Sequence, residues 1–234
     1  MPILVINDSL IKQFAENEHA VGQSVLESYI RITNRVTNGQ RVTVFGYGAG
    51  GRGVAANFRA ANARVSVVDR DPLKRLQAHL DGYDTPGREA ALAGADLVIT
   101  VTGGRGVIGE TDLPLLKDGA ILANAGHFPV EIEAEAMASA PDVTGRSSFA
   151  DGVEELTLAD GRRIRILAGG HMVNLAGPRP MGNSIKSMDL GFALQARCLE
   201  AIALGQVAAS DCVVPVPRRI DEQVANAYLA TRYP

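Results

Sequence analysis

One stretch restricts the fold more than any other: Gly46-Tyr47-Gly48-Ala49-Gly50-Gly51 lies between the β-rich run Arg41-Val42-Thr43-Val44-Phe45 and a small-residue helical stretch over residues 54–61. Strand, glycine turn and helix in that order bring backbone N–H groups together at a helix N-terminus. The dipole there favours an anion, and a Cβ in the turn would obstruct its approach. Gly46, Gly48 and Gly51 hold the G-x-G-x-x-G spacing. With 25 glycines in 234 residues the spacing alone says little, but its context says more. Arg64-Val65-Ser66-Val67-Val68-Asp69 reads as a second strand ending in an acid, about where the adenosine ribose of a dinucleotide needs a hydrogen-bond acceptor. A carboxylate at Asp69 accepts from ribose hydroxyls and repels a 2′-phosphate, which favours NAD. The neighbouring Arg70 leaves NADP open, because an arginine in that turn can serve a phosphate.

The rest of the chain extends the same alternation. Residues 72–80 read as a helix with Pro72 in its first turn, and residues 95–101 and 120–123 as further strands. Alternating strands and helices imply parallel pairing through right-handed crossovers. Leu156-Thr157-Leu158 and Arg163-Ile164-Arg165-Ile166-Leu167 flank Asp160-Gly161, a hairpin signal, and read as an antiparallel addition to the sheet. Before the glycine turn, Ser9 is placed to cap a helical stretch, and residues 21–36 carry apolar side chains at helical spacing up to the stop signal Asn38-Gly39. Residues 185–204 and 219–231 read as C-terminal helices. The expected fold is α/β: a Rossmann-type doubly wound parallel sheet with helices on both faces, an antiparallel hairpin and C-terminal helices. Residues 1–183 form the NAD-binding domain with its N-terminal lead-in, and residues 184–234 a helical segment suited to a homo-oligomer interface.

Composition narrows the function classes. A formal net charge of −3 and a pI near 5.8 give no basic face for a phosphate backbone, so nucleic acid is not an expected partner. No apolar run approaches the roughly 20 residues of a membrane helix. The start Met1-Pro2-Ile3-Leu4-Val5-Ile6-Asn7-Asp8 lacks a basic leader, and a cytoplasmic protein is expected. Cys198 and Cys212 are far apart and are read as packing residues; with His19, His79 and His171 they give no metal-ligand spacing, so no metal site is expected.

Several motifs together resemble the S-adenosylhomocysteine hydrolase family over nearly the whole chain. They are Ile6-Asn7-Asp8-Ser9 with Lys12, Gly46-Tyr47-Gly48 with Gly51-Arg52-Gly53-Val54-Ala55, Asp71-Pro72, Val101-Thr102-Gly103, and the run from Asp118 through Asn124-Ala125-Gly126-His127-Phe128 to Val130-Glu131-Ile132. Leu158-Ala159-Asp160-Gly161-Arg162 and Val173-Asn174-Leu175 continue the match. The resemblance implies an enzyme that uses NAD to oxidise the 3′-hydroxyl of an adenosine-type nucleoside reversibly, with elimination or addition at C5′ between the redox steps. Carried over residue by residue, it implies Lys12 beside the 3′-hydroxyl, with Glu16 where the family has an aspartate. It implies His127 in the active-site cleft, Asn17 near the nicotinamide, Thr102 with Gly103 and Asn124 at the cofactor, and Asn174 near the carboxamide. A lysine with a neighbouring carboxylate suits this chemistry, since hydride loss from an alcohol requires a base for the hydroxyl proton.

Departures from the family pattern accompany the match. The family's nucleoside-binding domain precedes the segment where this sequence starts, and its lysine- and tyrosine-bearing tail lies past Tyr233-Pro234. Where the family has Gly-His-Pro, this chain has Gly182-Asn183-Ser184, and an amide cannot act as an imidazole acid or base. Two alternatives to a self-sufficient enzyme therefore stand: a non-catalytic NAD-binding module, and one half of a split hydrolase whose substrate domain is a separate partner.

Overall fold

The computed structural model describes residues 3–207 and 213–233. They form two compact units, Val21–Gly182 and a second made of Met1–Ala20 with Asn183–Pro234. The lead-in is thus grouped with the C-terminal segment, whereas the sequence reading attached it to the Rossmann domain. The reason is long-range pairing: strand β1 (Ile3–Val5) runs parallel to a late strand, Val213–Pro215, and Ile11 N–H donates to the buried Asp221 at 3.3 Å. No local pattern announces a pairing across so many residues.

In the unit Val21–Gly182, seven strands build one sheet: β2 (Arg41–Phe45), β3 (Arg64–Val68), β4 (Leu97–Thr100), β5 (Ile121–Asn124), β6 (Val143–Ala150), β7 (Val153–Leu158) and β8 (Arg163–Leu167). Their order is β3-β2-β4-β5-β8-β7-β6. The first five in that order are mutually parallel, while β7 runs antiparallel to β8 and β6 antiparallel to β7. The expected hairpin is present, with Gly161 at φ +88° in its turn, but only its β7 arm is antiparallel to the main sheet; β8 extends the parallel set. Outside β3 a single residue, Asp84, bridges to Ser66 and accepts Val67 N–H at 2.8 Å, holding the place of a further strand.

Helices cover both faces. α1 (Val21–Thr33), α2 (Ala49–Ala60) and α3 (Pro72–Leu80) lie over one face, and α4 (Arg88–Gly94) and α5 (Ala134–Ala138) over the other. Strand alternation separates the two cores: Leu97 and Ile99 of β4 join Val25, Tyr29 and Phe58, whereas Val98 joins Leu92 and Met137. α1 ends before the expected Asn38-Gly39 stop because Asn34 takes a left-handed φ of +49°. Against that helix, a Cβ on Gly22 would lie 2.4 Å from the Gly53 carbonyl, so α1 and α2 touch backbone to backbone.

The other unit contains β1 and its parallel partner β9 (Val213–Pro215), the π-helical segment Lys12–Ala20, α6 (Ile185–Ala203) and α7 (Arg218–Ala230). Leu194, Cys198, Ala201, Val216 and Ile220 form its core, with Leu4 and Ile6 packed against them. Cys198 is a buried free thiol, and Cys212 lies outside the described residues. Among the described residues no helix is long and apolar enough to cross a membrane.

Candidate functional site

The sheet order places a topological switch between β2 and β4, from which the chain proceeds in opposite directions along the sheet. In such sheets the crevice beyond the carboxyl ends of those strands takes the ligand. The glycine turn occupies that place. Gly46 follows β2 with φ +102°, and a Cβ there would lie 2.7 Å from the Val101 carbonyl oxygen. A Cβ on Gly51 would lie 1.9 Å from the Gly46 carbonyl oxygen, so helix and turn close on each other only with glycine at both positions. α2 accordingly starts at Ala49, inside the motif, rather than after it as the run of glycines suggests. Gly48 differs: its φ of −74° suits any residue, and nothing lies within 4 Å of its Cβ position. That glycine is not required by the protein's own packing. It leaves open the space through which a pyrophosphate would reach the N-terminus of α2.

Asp69 directly follows β3, facing the turn. Its Oδ2 accepts Tyr47 N–H at 2.7 Å and its Oδ1 accepts Asp71 N–H at 2.9 Å. Tyr47 is buried and donates its hydroxyl to Asp81 at 2.8 Å; burial and that carboxylate both push the phenol's pKa up. A cavity of about 640 Å³ brings Gly46, Gly48, Asp69 and Thr102 together, four of the residues singled out in the sequence.

The loops after β4 and β5 are joined by a buried carboxylate. Glu131, 1% exposed, accepts Thr102 N–H and the Thr102 hydroxyl at 2.9 and 2.8 Å through Oε2, and Gly103 N–H at 2.8 Å through Oε1. The Thr102 hydroxyl also accepts Gly104 N–H at 2.9 Å, so both its donor and an acceptor site are used within the protein. A Cβ on Gly126 would meet Glu131 Oε1 at 1.9 Å, which is why glycine precedes His127. Asn124, fully buried at the end of β5, donates to the Phe128 and Gly170 carbonyls at 3.0 Å each and accepts Gly126 N–H at 2.7 Å and the Thr100 hydroxyl at 3.2 Å. Its amide is saturated; in this structure it shapes the turn that carries His127. The His127 ring is exposed and packs edge-on to Phe128 at 4.5 Å. The sequence quotes Glu131 and Gly126 only as letters of a motif, because a contact spanning 29 residues between two loops leaves no local pattern.

Asn174 is brought to the end of β5 by the Val173 N–H bond to the Asn124 carbonyl (2.8 Å) and the Met172 bridge. It is 2% exposed and donates to Ser24 Oγ at 2.9 Å, yet its Oδ1 is the buried side-chain acceptor left without a partner among the described residues. Buried acceptors are ordinarily satisfied. The donor it lacks is of the kind a carboxamide N–H₂ supplies, and this orphaned oxygen together with the open space at Gly48 fits a nicotinamide dinucleotide.

Lys12, Glu16 and Asn17 belong to the other unit. Lys12 and Glu16 are partly buried and ion-paired along the π-helical segment, and a Cβ on Gly191 of α6 would lie 2.9 Å from Glu16 Oε2. Asn17 donates to Asn7 Oδ1 at 3.4 Å. Ser9 caps the segment by accepting Lys12 N–H at 3.1 Å.

A family model described as the S-adenosyl-L-homocysteine hydrolase NAD binding domain matches residues 17–179. The chain is 41% identical over 234 residues to an adenosylhomocysteinase of Thermococcus kodakarensis, covering 98% of this chain and 54% of that protein. It is 37% identical over 228 residues to an S-inosyl-L-homocysteine hydrolase of Methanothermobacter thermautotrophicus, covering 97% and 54%. The chain therefore spans about half the length of these curated relatives. Among solved structures, the A chain of dipicolinate synthase from Bacillus subtilis superposes with a TM-score of 0.51 at 14% identity, over 78% of this chain and 53% of that one, a likeness of fold alone.

Proposed function

Since the chain belongs to the family of the S-adenosyl-L-homocysteine hydrolase NAD-binding domain, we propose that it holds NAD at the switch between β2 and β4 and serves the reversible oxidation of the 3′-hydroxyl of a purine nucleoside, coupled to elimination or hydration at C5′. The observation that carries the reading is the cavity on which Gly46, Gly48, Asp69 and Thr102 converge. The names of the relatives supply the substrate class: an S-nucleosyl-homocysteine whose base is adenine or hypoxanthine. When bound, NAD supplies the hydride acceptor. Gly48 and the α2 N-terminus would receive its pyrophosphate, Asp69 its adenosine ribose, and Asn174 Oδ1 its carboxamide. The Glu131 bridge fixes Thr102 and Gly103, and through Gly126 the turn bearing His127, which serves proton transfer in the cleft.

In this reading Lys12 hands its ammonium proton to Glu16 and, as the neutral amine, takes the 3′-hydroxyl proton as hydride leaves C3′. Asn17 stands on the nicotinamide side. A cytoplasmic homo-oligomer accords with the same reading, with α6 as the interface element. The test is NADH formation by the purified protein supplied with NAD and either adenosine or inosine, compared with its Lys12→Met variant. Loss of a base typically lowers the rate by about 10²–10⁴-fold, and NAD affinity should be unchanged. A Lys12→Met protein turning over within a few-fold of the parent refutes the role of Lys12. Tight NAD binding without turnover by either protein favours the non-catalytic module.

A further inference from the structure

The cavity at the ends of β2 and β4 has more positive charge on one wall than NAD engages. Arg70, Lys74 and Arg75 line it from the β3–α3 connection and the first turn of α3, the same segment as Asp69. All three are exposed, and no side chain of theirs has an ion-pair or hydrogen-bond partner among the described residues. Two other cations line the cavity. Arg88 is held by both oxygens of Asp112 at 2.8 and 2.7 Å, and Arg105 belongs to the loop after β4.

The two acids of the segment are engaged by the backbone. Asp69 accepts from Tyr47 and Asp71 amides at 2.7 and 2.9 Å, and Asp71 caps α3 by accepting Leu73 N–H at 2.9 Å. A ribose 2′,3′-diol is neutral and needs one carboxylate as acceptor; it offers three cations nothing to neutralise. The pyrophosphate is not their natural counterpart either, because the opening for it lies at Gly48 in the β2–α2 turn, whereas the segment after the second strand of such a fold faces the adenosine ribose. A 2′-phosphate would bring close to two negative charges and three acceptor oxygens to that place, a match for one or two guanidinium forks and an ammonium.

We propose that this site accepts adenine dinucleotides phosphorylated at the ribose 2′-oxygen, NADP and NADPH, alongside NAD, with Arg70, Lys74 and Arg75 as the phosphate clasp: their three positive charges offset the repulsion between the phosphate and Asp69, which retains the diol form. The proposal rests on the reading that the cavity holds a nicotinamide dinucleotide. Calorimetric titration of the purified chain with NAD and with NADP tests it, repeated on the triple variant Arg70→Gln, Lys74→Gln, Arg75→Gln; all three side chains are exposed and unpaired, so an unchanged melting curve is expected. The parent should bind NADP within about thirtyfold of NAD, and the variant should lose at least about tenfold for NADP with no more than about threefold for NAD, as expected when charge-assisted bonds to one phosphate are removed. A larger gap in the parent, or a variant that weakens both nucleotides alike, overturns the proposal while leaving the NAD site standing. If neither nucleotide binds, the dinucleotide reading falls and this one with it.

Discussion

Gly48 and Gly51 are three positions apart in one motif, but a Cβ has opposite consequences at the two sites, which separates the demands of the fold from those of a ligand. At Gly48 the Cβ position is empty to 4 Å and φ is −74°, so Gly48→Ala should fold without strain. Fewer unfolded conformations then favour the folded state by about 0.4–1 kcal/mol, but Gly48 is the N-cap of α2, where alanine is poorer than glycine by a comparable amount. At the conversion for a chain of this size, about 2–4 °C per kcal/mol, the melting temperature should stay within roughly 2 °C of the parent. The same methyl group stands in the proposed path of the pyrophosphate. Losing one charge-assisted hydrogen bond at a helix N-terminus costs about 1.5–3 kcal/mol, which is roughly 10–150-fold in NAD affinity. At Gly51 the methyl would lie 1.9 Å from the Gly46 carbonyl oxygen, so helix and turn must separate by more than an ångström. Overpacking of that kind costs about 1–3 kcal/mol and is offset in part by the roughly 1 kcal/mol that alanine gains over glycine inside a helix. Gly51→Ala should therefore melt at or below the parent temperature. Differential scanning fluorimetry and calorimetric NAD titration of both variants read the four outcomes. A Gly48→Ala protein with NAD affinity within twofold of the parent refutes the assignment of that space to the pyrophosphate.

Glu131→Gln replaces one acceptor oxygen by an N–H₂ that must face the Thr102 or Gly103 amide, so a buried charged hydrogen bond is lost and two donors are opposed. Urea unfolding should show a loss of about 1.5–3 kcal/mol, and a loss below about 0.5 kcal/mol would contradict the bridging role. α6 buries Leu194, Cys198 and Ala201 but leaves Ile185, Phe192 and Leu199 exposed, so light scattering over a concentration series should report at least a dimer; a monomer at every concentration refutes an interface on α6.

The elements legible in the sequence are those whose cause is local. β2, β3 and β4 are short β-rich runs between glycines or acids, and α3 announces itself by Asp71 as cap and Pro72 at its first position, so the strand–turn–helix alternation fixed the fold class. Boundaries were less legible wherever a distant atom sets them. The start of α2 inside the glycine motif depends on Gly51 meeting Gly46, the end of α1 on a left-handed Asn34, and the parallel setting of β8 on its neighbour β5. β6 gave no signal because an edge strand exposed along most of its length needs no apolar alternation. The lead-in joined the C-terminal segment through β1 and β9, a pairing that only the folded chain reveals.

The candidate site divides along the same line. A cradle for phosphates is made of absent side chains within one turn, so Gly46, Gly48 and Gly51 could be read directly, and the carboxylate of Asp69 is placed by the strand it follows. The part of the site around Thr102 and Asn174 depends on contacts far apart in sequence, one between two loops and one between a loop and α1. Glu131 reaches Thr102 and Gly103, and Asn174 reaches Ser24 across 150 positions. Such contacts follow from the parallel sheet itself: strands aligned in one direction deliver all their following loops to one end, and each loop must then satisfy the polar groups of its neighbours. Asn124 does so completely with four partners, whereas Asn174 keeps one buried acceptor unspent. Of the two asparagines, it is therefore Asn174 whose side chain retains the capacity to meet a ligand, and Asn124 whose side chain shapes the ground on which the ligand would sit.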